Sequence, residues 1–256
     1  MLSYRIGRGL LYRLNPTTKL VVGLCAIVTA FLIPHVLGTV VFAGAVWLLV
    51  ALGGGGSRIS RTALLIVAPV SISLLVIHSL FYPDRQTVLL MIGPVAIWAE
   101  GLAFAVAMIS RIAVLVLVVL AVVMTIPSKV LAATMVDRGL SPKFAYVFLA
   151  TLQMIPDVHR RLQATLEAQQ SRGLDVRANL RRRIRSLLAI LGPLFQGTLV
   201  AAETRSLALE ARAFGRKGPR TSMVESPADP KVERVVRYAA VAGVLALIVG
   251  TLLGPR

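Results

Sequence analysis

The sequence has little cysteine, few acidic residues and few aromatic residues. These shortages exclude an intramolecular disulfide and disfavour a nucleic-acid-binding surface. Its single cysteine, Cys25, rules out an intramolecular disulfide, and its place in an apolar run indicates a small packed residue. The 11 acidic residues are outnumbered by 28 lysines and arginines, which gives a net charge of +17. A nucleic-acid-binding surface would interleave these basic residues with aromatics, but aromatics make up only 6% of the chain. No nucleic-acid partner is therefore expected.

Motifs for nucleotide binding and metal ligation are also missing from the sequence. The glycine run at residues 53–56 is followed by Ser57 and Arg58 instead of the Gly-Lys-Ser/Thr of a phosphate loop, so it predicts a flexible turn. The three histidines lack the spacing of metal ligands. We therefore expect this chain to bind no ATP, no metal ion and no other cofactor.

An intramembrane hydrolase is the alternative function, because Ser73 and His78 lie in one apolar segment. Five residues apart on a helix, they are separated by about 140° and point to different faces. The Gly-x-Ser-x-Gly turn that exposes a nucleophilic serine is also missing. These two observations disfavour catalysis.

Apolar residues, in contrast, make up 57% of the chain, more than a soluble domain contains. Five stretches approach or exceed the roughly 20 apolar residues that cross a bilayer. They are residues 20–33, 36–52, 63–81, 100–125 and 238–253. No small-residue cleavage site follows the first stretch, so we expect it to be retained and not removed as a signal peptide. A further piece, residues 88–98, is predicted to lie at the membrane interface. The sequence thus predicts an all-α polytopic membrane protein with about five transmembrane helices.

The positions of the basic residues predict the orientation in the membrane. They precede the first stretch, where Lys19 could extend its side chain to the surface, and they follow the second and crowd the region after the fourth. The opposite loops hold only His35 and the pair Asp84 and Arg85. Because lysine and arginine accumulate on the cytoplasmic side, the N-terminus is expected inside and the C-terminus outside the cell membrane. Anionic lipid then accounts for much of the positive charge.

The polar region between the fourth and fifth stretches predicts a cytoplasmic domain of amphipathic helices. We place a transmembrane domain at residues 1–125, this helical domain at 126–220, a linker at 221–237 and the last transmembrane helix at 238–253. Ser141 and Pro142 are a typical helix start, and the pattern stays helical to Ser171 with Pro156 inside it. A shorter helix precedes it at residues 128–138, and another follows at 183–214, bent at Pro193.

The two longer helices end in the same way, at Ser171-Arg172-Gly173 and at Ala211-Arg212-Ala213. An arginine at a helix C-terminus complements the helix dipole, and glycine after it is the usual left-handed cap. Two such ends on one side of the membrane also suit binding to a partner, because the planar guanidinium pairs well with carboxylates and carbonyls. Without a glycine after Arg212, the second helix is expected to continue by about half a turn.

In this order the segments resemble the transmembrane coupling subunit, or T component, of energy-coupling factor (ECF) type ABC importers. "LNPTTKL" at residues 14–20 is similar to the family's Leu-Asp-Pro-Arg-Thr-Lys-Leu, and Glu100-Gly101-Leu102 with Arg111 is similar to its fourth-span pattern. Residues 125–156 resemble its Thr-x-Pro-x-x-Leu helix, Gly-Leu-Pro turn and later proline. The arginine ends lie where the family carries paired Ala-Arg-Gly motifs.

The resemblance implies a non-catalytic subunit for uptake of a vitamin or a transition-metal ion. Arg172 and Arg212, with their neighbours Ser171, Gly173, Ala211 and Ala213, would bind two cytoplasmic ABC-type ATPase subunits that hold ATP and magnesium. A separate substrate-binding membrane subunit would pack on the apolar faces of the same coupling helices.

Four further residues are expected to be structural or to face a partner. They are Glu100, Arg111, Pro156 and Pro193. An arginine within an apolar span is costly, so Arg111 should face the helix bundle or a partner and not lipid.

Overall fold

The computed structural model describes residues 9–82, 87–92, 95–173, 180–216, 227 and 229–253, and most of them are helical. The helices are α1 (Leu10–Arg13), α2 (Pro16–Leu32), α3 (Val36–Val50), α4 (Gly56–Phe81), α5 (Ala99–Thr125), α6 (Ser128–Asp137), α7 (Pro142–Ser171), α8 (Leu180–Ala211) and α9 (Lys231–Leu253). A π-helical turn (Ala51–Gly55) joins α3 to α4, and two short strands, β1 (Val88–Ile92) and β2 (Val95–Trp98), precede α5.

The chain divides into two compact units, which are described separately. The membrane unit comprises Met1–Thr134 and Ser226–Arg256, and the α7–α8 unit comprises Met135–Glu225. Among the described residues, three helical stretches are long and apolar enough to cross a membrane: Val36–Phe81, Ala99–Thr125 and Lys231–Leu253. The first contains α3 and α4, and the shorter α2 is also apolar. The prediction of an all-α polytopic membrane protein is confirmed.

The centre of the membrane unit is α5, which packs against α4, α3 and α2. Val114 and Val118 meet Ala30 and Val46 in one apolar cluster, and a second cluster joins the later part of α5 to Val50 and neighbouring residues. The closest approach lies at the start of α5, where a Cβ on Gly101 would collide with the carbonyl oxygen of His78. Most large apolar side chains on α3, α4 and α9 point outward, as lipid-facing residues do.

The glycine run at residues 53–56 lies at the kink between α3 and α4, where the sequence predicts a turn. Its first three glycines belong to the π-helical turn, and the chain continues directly into α4. Gly54 has φ of +96°, a conformation that glycine adopts without strain. A Cβ on Gly9 would collide with the backbone of Gly53, so α1 lies directly against this turn. Because these glycines have no side chains, the backbone at Gly9 can pack closely against the backbone at Gly53 and Gly54.

Residues 88–98, predicted to lie at the membrane interface, contain the antiparallel pair β1 and β2. Val88 pairs with Trp98 and Ile92 with Val95 in this hairpin. The pair has only two strands, so the fold class is unchanged. Gly93 and Pro94, between the strands, lie outside the described residues.

Two further predictions differ from the structure. One concerns the start of the last helix, and the other concerns the Lys19 side chain. The last helix begins at Lys231, inside the segment predicted as a linker, whose residues 221–226 and 228 are outside the described part of the chain. Lys19 does not extend to the surface. It is buried, and its Nζ donates to the carbonyl oxygen of Thr125 at 3.3 Å.

Candidate functional site

The long helix α7 begins and ends where the sequence predicts. Ser141 is its N-cap residue and Pro142 its first residue, where the missing N–H of proline costs nothing. The helix continues through Pro156 to Ser171. Likewise α8 continues through Pro193 and ends at Ala211. Both prolines therefore lie inside long helices, at the places assigned to them.

The helices α7 and α8 pack side by side and run antiparallel. Near the start of α7, the ring of Tyr146 lies 5.0 Å from the ring of Phe214, which follows the end of α8. Midway along, Nη1 of Arg161 donates to the carbonyl oxygen of Gly197 at 3.2 Å. Successive contacts thus advance along α7 while they go back along α8.

The first arginine end is closed by a glycine in the left-handed conformation. Arg172 is the C-cap residue of α7, and its backbone N–H donates to the carbonyl oxygen of Gln169 at 3.1 Å. Gly173 has φ of +85° and donates to Gln170 at 2.9 Å. The Arg172 side chain is exposed and makes no hydrogen bond or ion pair within the described residues.

The second arginine end has the same geometry although it lacks the glycine. The N–H of Ala213 donates to Glu210 and that of Phe214 to Leu209, both at 2.9 Å, which is the Schellman pattern of a helix end. Ala213 has φ of +54° and occupies the left-handed position. Arg212 is the C-cap residue, and its side chain is exposed, as that of Arg172 is.

The expected extension of this helix by half a turn is therefore wrong. A left-handed alanine costs about 1–2 kcal/mol, so something must hold it there. The ring of Phe214, the next residue, packs on that of Tyr146 in α7, and this tertiary contact fixes the position of the turn. The two arginines occupy equivalent positions at their helix ends.

A third helix, α6, ends in the same way, and the sequence reasoning did not single it out. Arg138 follows its last residue, Gly139 has φ of +97°, and the N–H of Leu140 donates to Met135 at 3.0 Å. The signal was present in the sequence, because residues 138–140 repeat the Arg-Gly-Leu of residues 172–174. The cap alone is thus a local structure that does not define a partner site, and Arg138 offers a matched control.

The arginines of α7 and α8 lie at opposite ends of the helix pair. A Cβ on Gly215, three residues after Arg212, would lie 3.8 Å from Cε of Lys143 in the first turn of α7. Arg172 lies at the other end of this helix, which has 30 residues. At 1.5 Å per residue, α7 is about 45 Å long. The two guanidinium groups are therefore too far apart to share one binding pocket.

Glu100 and Arg111 lie in the membrane unit, and each contacts the chain near a helix end. Oε1 of Glu100 accepts from the backbone N–H of Thr87 at 3.1 Å and from its hydroxyl at 2.6 Å. Nη2 of Arg111 donates to the carbonyl oxygen of Ile33, the C-cap residue of α2, at 3.0 Å. The cation thus complements the C-terminal end of the α2 dipole. Arg111 faces the helix bundle.

Of the two residues of the alternative hydrolase, His78 packs against an aromatic ring. The ring of His78 lies 4.9 Å from that of Phe104, edge to face, and no hydrogen bond joins His78 to Ser73 in the described part of the chain. Among all residues that the structure describes, no group of three histidine, cysteine or acidic side chains could hold a metal ion.

Similarity to known proteins shows the family of this chain. The family model of CbiQ, the cobalt transport protein, matches residues 7–223, which is most of the chain. The chain belongs to the CbiQ family. The energy-coupling factor transporter transmembrane protein EcfT of Acidaminococcus fermentans is 28% identical over 237 residues, covering 87% of this chain and 86% of the relative. EcfT of Lactococcus lactis subsp. cremoris is 26% identical over 224 residues, 82% of each chain.

A third relative has a different description. A protein of Bifidobacterium longum, named as an ABC transporter ATP-binding protein, is 31% identical over 146 residues. The match covers 53% of this CbiQ-family chain but only 19% of the relative. The prediction of an EcfT- or CbiQ-like transmembrane component is confirmed by these comparisons together.

Proposed function

We propose that this chain couples ATP hydrolysis by two cytoplasmic ABC-type ATPase subunits to the reorientation of a separate substrate-binding membrane subunit. The transported substrate is a vitamin or a transition-metal ion, held by that other subunit. The observation that carries the proposal is the pair of exposed arginines, Arg172 and Arg212, in the same C-cap geometry at opposite ends of α7 and α8.

The geometry of the two ends supports binding of one ATPase subunit at each. The last carbonyl groups of a helix have no hydrogen-bond partners within it. Here the N–H groups of the following turn donate to some of these carbonyls, and each helix ends at its arginine. The exposed guanidinium has five N–H donors that can bind in a partner's groove. The length of α7 separates the two contacts by about 45 Å, which is more than the roughly 30 Å diameter of a small domain. Each ATPase subunit thus receives its own arginine.

The Bifidobacterium relative supports an ATPase as the partner. The segment similar to this chain makes up only 19% of that protein, whose name refers to ATP binding. Membrane coupling and ATP binding would thus be joined in that one polypeptide. In our proposal the same two functions are divided between this chain and separate ATPase subunits, which hold the ATP and the magnesium ion.

Exposed apolar side chains on the two coupling helices support contact with the substrate-binding subunit. On α7 they include Phe144, Val147 and Phe148, and on α8 Phe195 and Leu199, each well exposed. Large exposed apolar surfaces outside a membrane span usually mark interaction sites. ATP-driven movement of the helix ends would shift this surface and reorient the subunit packed on it.

The proposed topology follows from charge. The residues 126–220 and the N-terminus are cytoplasmic, and the C-terminus is external, because the basic residues cluster on one side of the predicted spans. The chain is a multi-pass component of the cell membrane and has no catalytic step of its own.

Purification of the tagged chain from its native membrane in mild detergent tests the proposal. We expect two ATPase subunits and a small membrane protein to co-purify, and the ATPases to be lost from a chain that carries both Arg172→Ala and Arg212→Ala. Co-purification of neither partner with the wild-type chain would overturn the proposed function.

A further inference from the structure

Buried polar side chains gather at the start of α2, where α5 ends and α9 begins. Asn15, Thr18 and Lys19 are 2%, 3% and 8% exposed, and Thr125 and Arg237 are also buried. Polar groups are costly to bury unless they are hydrogen-bonded, so such a group of residues is maintained by specific contacts. We refer to these five residues, with Glu233, as the junction cluster.

One set of contacts attaches α9 to α2. Oε2 of Glu233 accepts from the backbone N–H of Asn15 at 3.0 Å and from the hydroxyl of Thr18 at 2.7 Å. Nη1 of Arg237 donates to the Thr18 hydroxyl at 3.0 Å, and Nη2 donates to Oδ2 of Asp229 at 2.6 Å. The half-buried carboxylate of Glu233 and the buried guanidinium of Arg237 thus each have more than one hydrogen-bond partner, which compensates their loss of contact with water.

A second contact attaches α5 to the same turn of α2. Nζ of Lys19 donates to the carbonyl oxygen of Thr125, the last residue of α5. A cation at this position satisfies one of the free C-terminal carbonyls and complements the dipole of α5. The first turn of α2 thus contacts the end of α5, after which the chain enters the coupling region, and the start of α9, where it returns to the membrane unit.

The attachment of α9 depends strongly on this cluster. Of the residues of α9, all of which are described, Arg237 is the single buried one, although the helix runs from Lys231 to Leu253. Its other side chains are half-buried or exposed, as on a helix that faces lipid. Lipid is as apolar as those side chains, so apolar packing alone provides little force to hold α9 in place.

We infer that the junction cluster is a brace that holds the two connections to the coupling region at a fixed spacing, so that the membrane helices respond as one body. This inference rests on the proposed function. Movement of the coupling helices acts on the membrane helices through the residues that follow Thr125 and those that precede Lys231. With α5 and α9 both fixed to α2, that movement is transmitted. Without the brace, α9 shifts alone and the movement is lost. Glu233 and Arg237 are positioning residues, since they touch no substrate.

Arg237→Ala tests the brace, and Arg234→Ala is its matched control. Arg234 lies on the same helix, three residues earlier, and is exposed. We expect Arg237→Ala to leave ATPase binding and ATP hydrolysis in the reconstituted complex intact. Substrate uptake per ATP hydrolysed should fall about tenfold, within the ~5–150-fold range of typical coupling between sites. Arg234→Ala should change none of the three quantities.

Covalent replacement of the brace gives a second test that does not need Arg237→Ala to fold. In a Cys25→Ala background, Thr18→Cys with Glu233→Cys removes three hydrogen bonds between the start of α2 and α9, namely Asn15 with Glu233, Thr18 with Glu233 and Arg237 with Thr18. A short bifunctional thiol reagent then bridges the two helices. We expect uptake per ATP to fall in the double variant and to recover after bridging.

Normal coupling in Arg237→Ala, or no recovery after bridging, would overturn the brace while leaving the proposed function in place. A wild-type complex that binds no ATPase and shows no ATP-driven uptake would overturn the proposed function, and the inference with it.

Discussion

Replacing Arg172 or Arg212 by alanine distinguishes a helix-capping role from a partner-binding role. In the free chain both side chains are exposed, and the turns that follow them are closed by backbone hydrogen bonds. Loss of a charge at a helix end therefore costs the isolated chain only about 0.3–1 kcal/mol. Loss of an arginine from a partner's groove costs about 2–5 kcal/mol, because the acceptors of the partner are left unpaired.

The measurement is the affinity of the detergent-purified chain for its ATPase subunits. An energy of 2 kcal/mol corresponds to about a 30-fold rise in Kd, so each alanine variant should weaken binding at its own site by at least about 30-fold. Arg138→Ala removes an arginine from the same type of cap and should leave the affinity unchanged. Arg172→Lys should restore little binding, since lysine keeps the charge but lacks the planar fork.

The thermal stability of the isolated chain provides the internal check. Arg172→Ala and Arg212→Ala should each lose a similar and small amount of stability, because each loses a C-cap charge. If the double variant Arg172→Ala and Arg212→Ala binds the ATPases normally, or if Arg138→Ala weakens binding equally, the arginines act only as helix caps.

Three further predictions concern the second helix end, the topology and the absence of catalysis. Ala213→Gly should stabilise the isolated chain by about 1 kcal/mol in thermal unfolding, because it removes the left-handed strain, and ATPase affinity should not change. In a Cys25→Ala background, a membrane-impermeant thiol reagent added outside should label a cysteine placed after Leu253 and not Gly218→Cys; the opposite pattern contradicts the topology. Ser73→Ala and His78→Ala should each preserve ATP-driven uptake, whereas loss of a hydrolytic activity by about a hundredfold in a folded variant would support the hydrolase.

The features that the sequence predicts well are those set by nearby residues. The apolar stretches have the length of membrane helices, and Ser141 with Pro142 marks the start of α7 within the sequence itself. The end of α7 is also local, because Gly173 adopts the left-handed conformation without cost. In each case the physical cause lies within a few residues of its effect.

The features that the sequence does not predict depend on distant contacts. Ala213 has no local preference for a positive φ, and its conformation depends on Phe214 meeting Tyr146 from another helix. Lys19 is typical of a surface residue until Thr125, more than a hundred positions away, supplies an acceptor. Glu233 and Arg237 are charged residues in a segment that the sequence predicts to be a linker. Their hydrogen bonds with Thr18 form only because α2, which is distant in the sequence, packs beside them.

The antiparallel packing of α7 and α8 has a consequence for symmetry. Two antiparallel helices are related by a two-fold axis perpendicular to their length, so that rotation exchanges the two arginine ends. Subunits that pair around a two-fold axis present the same surface twice. In the proposed complex, two ATPase subunits would therefore each meet an arginine at a helix end, although both arginines belong to one polypeptide.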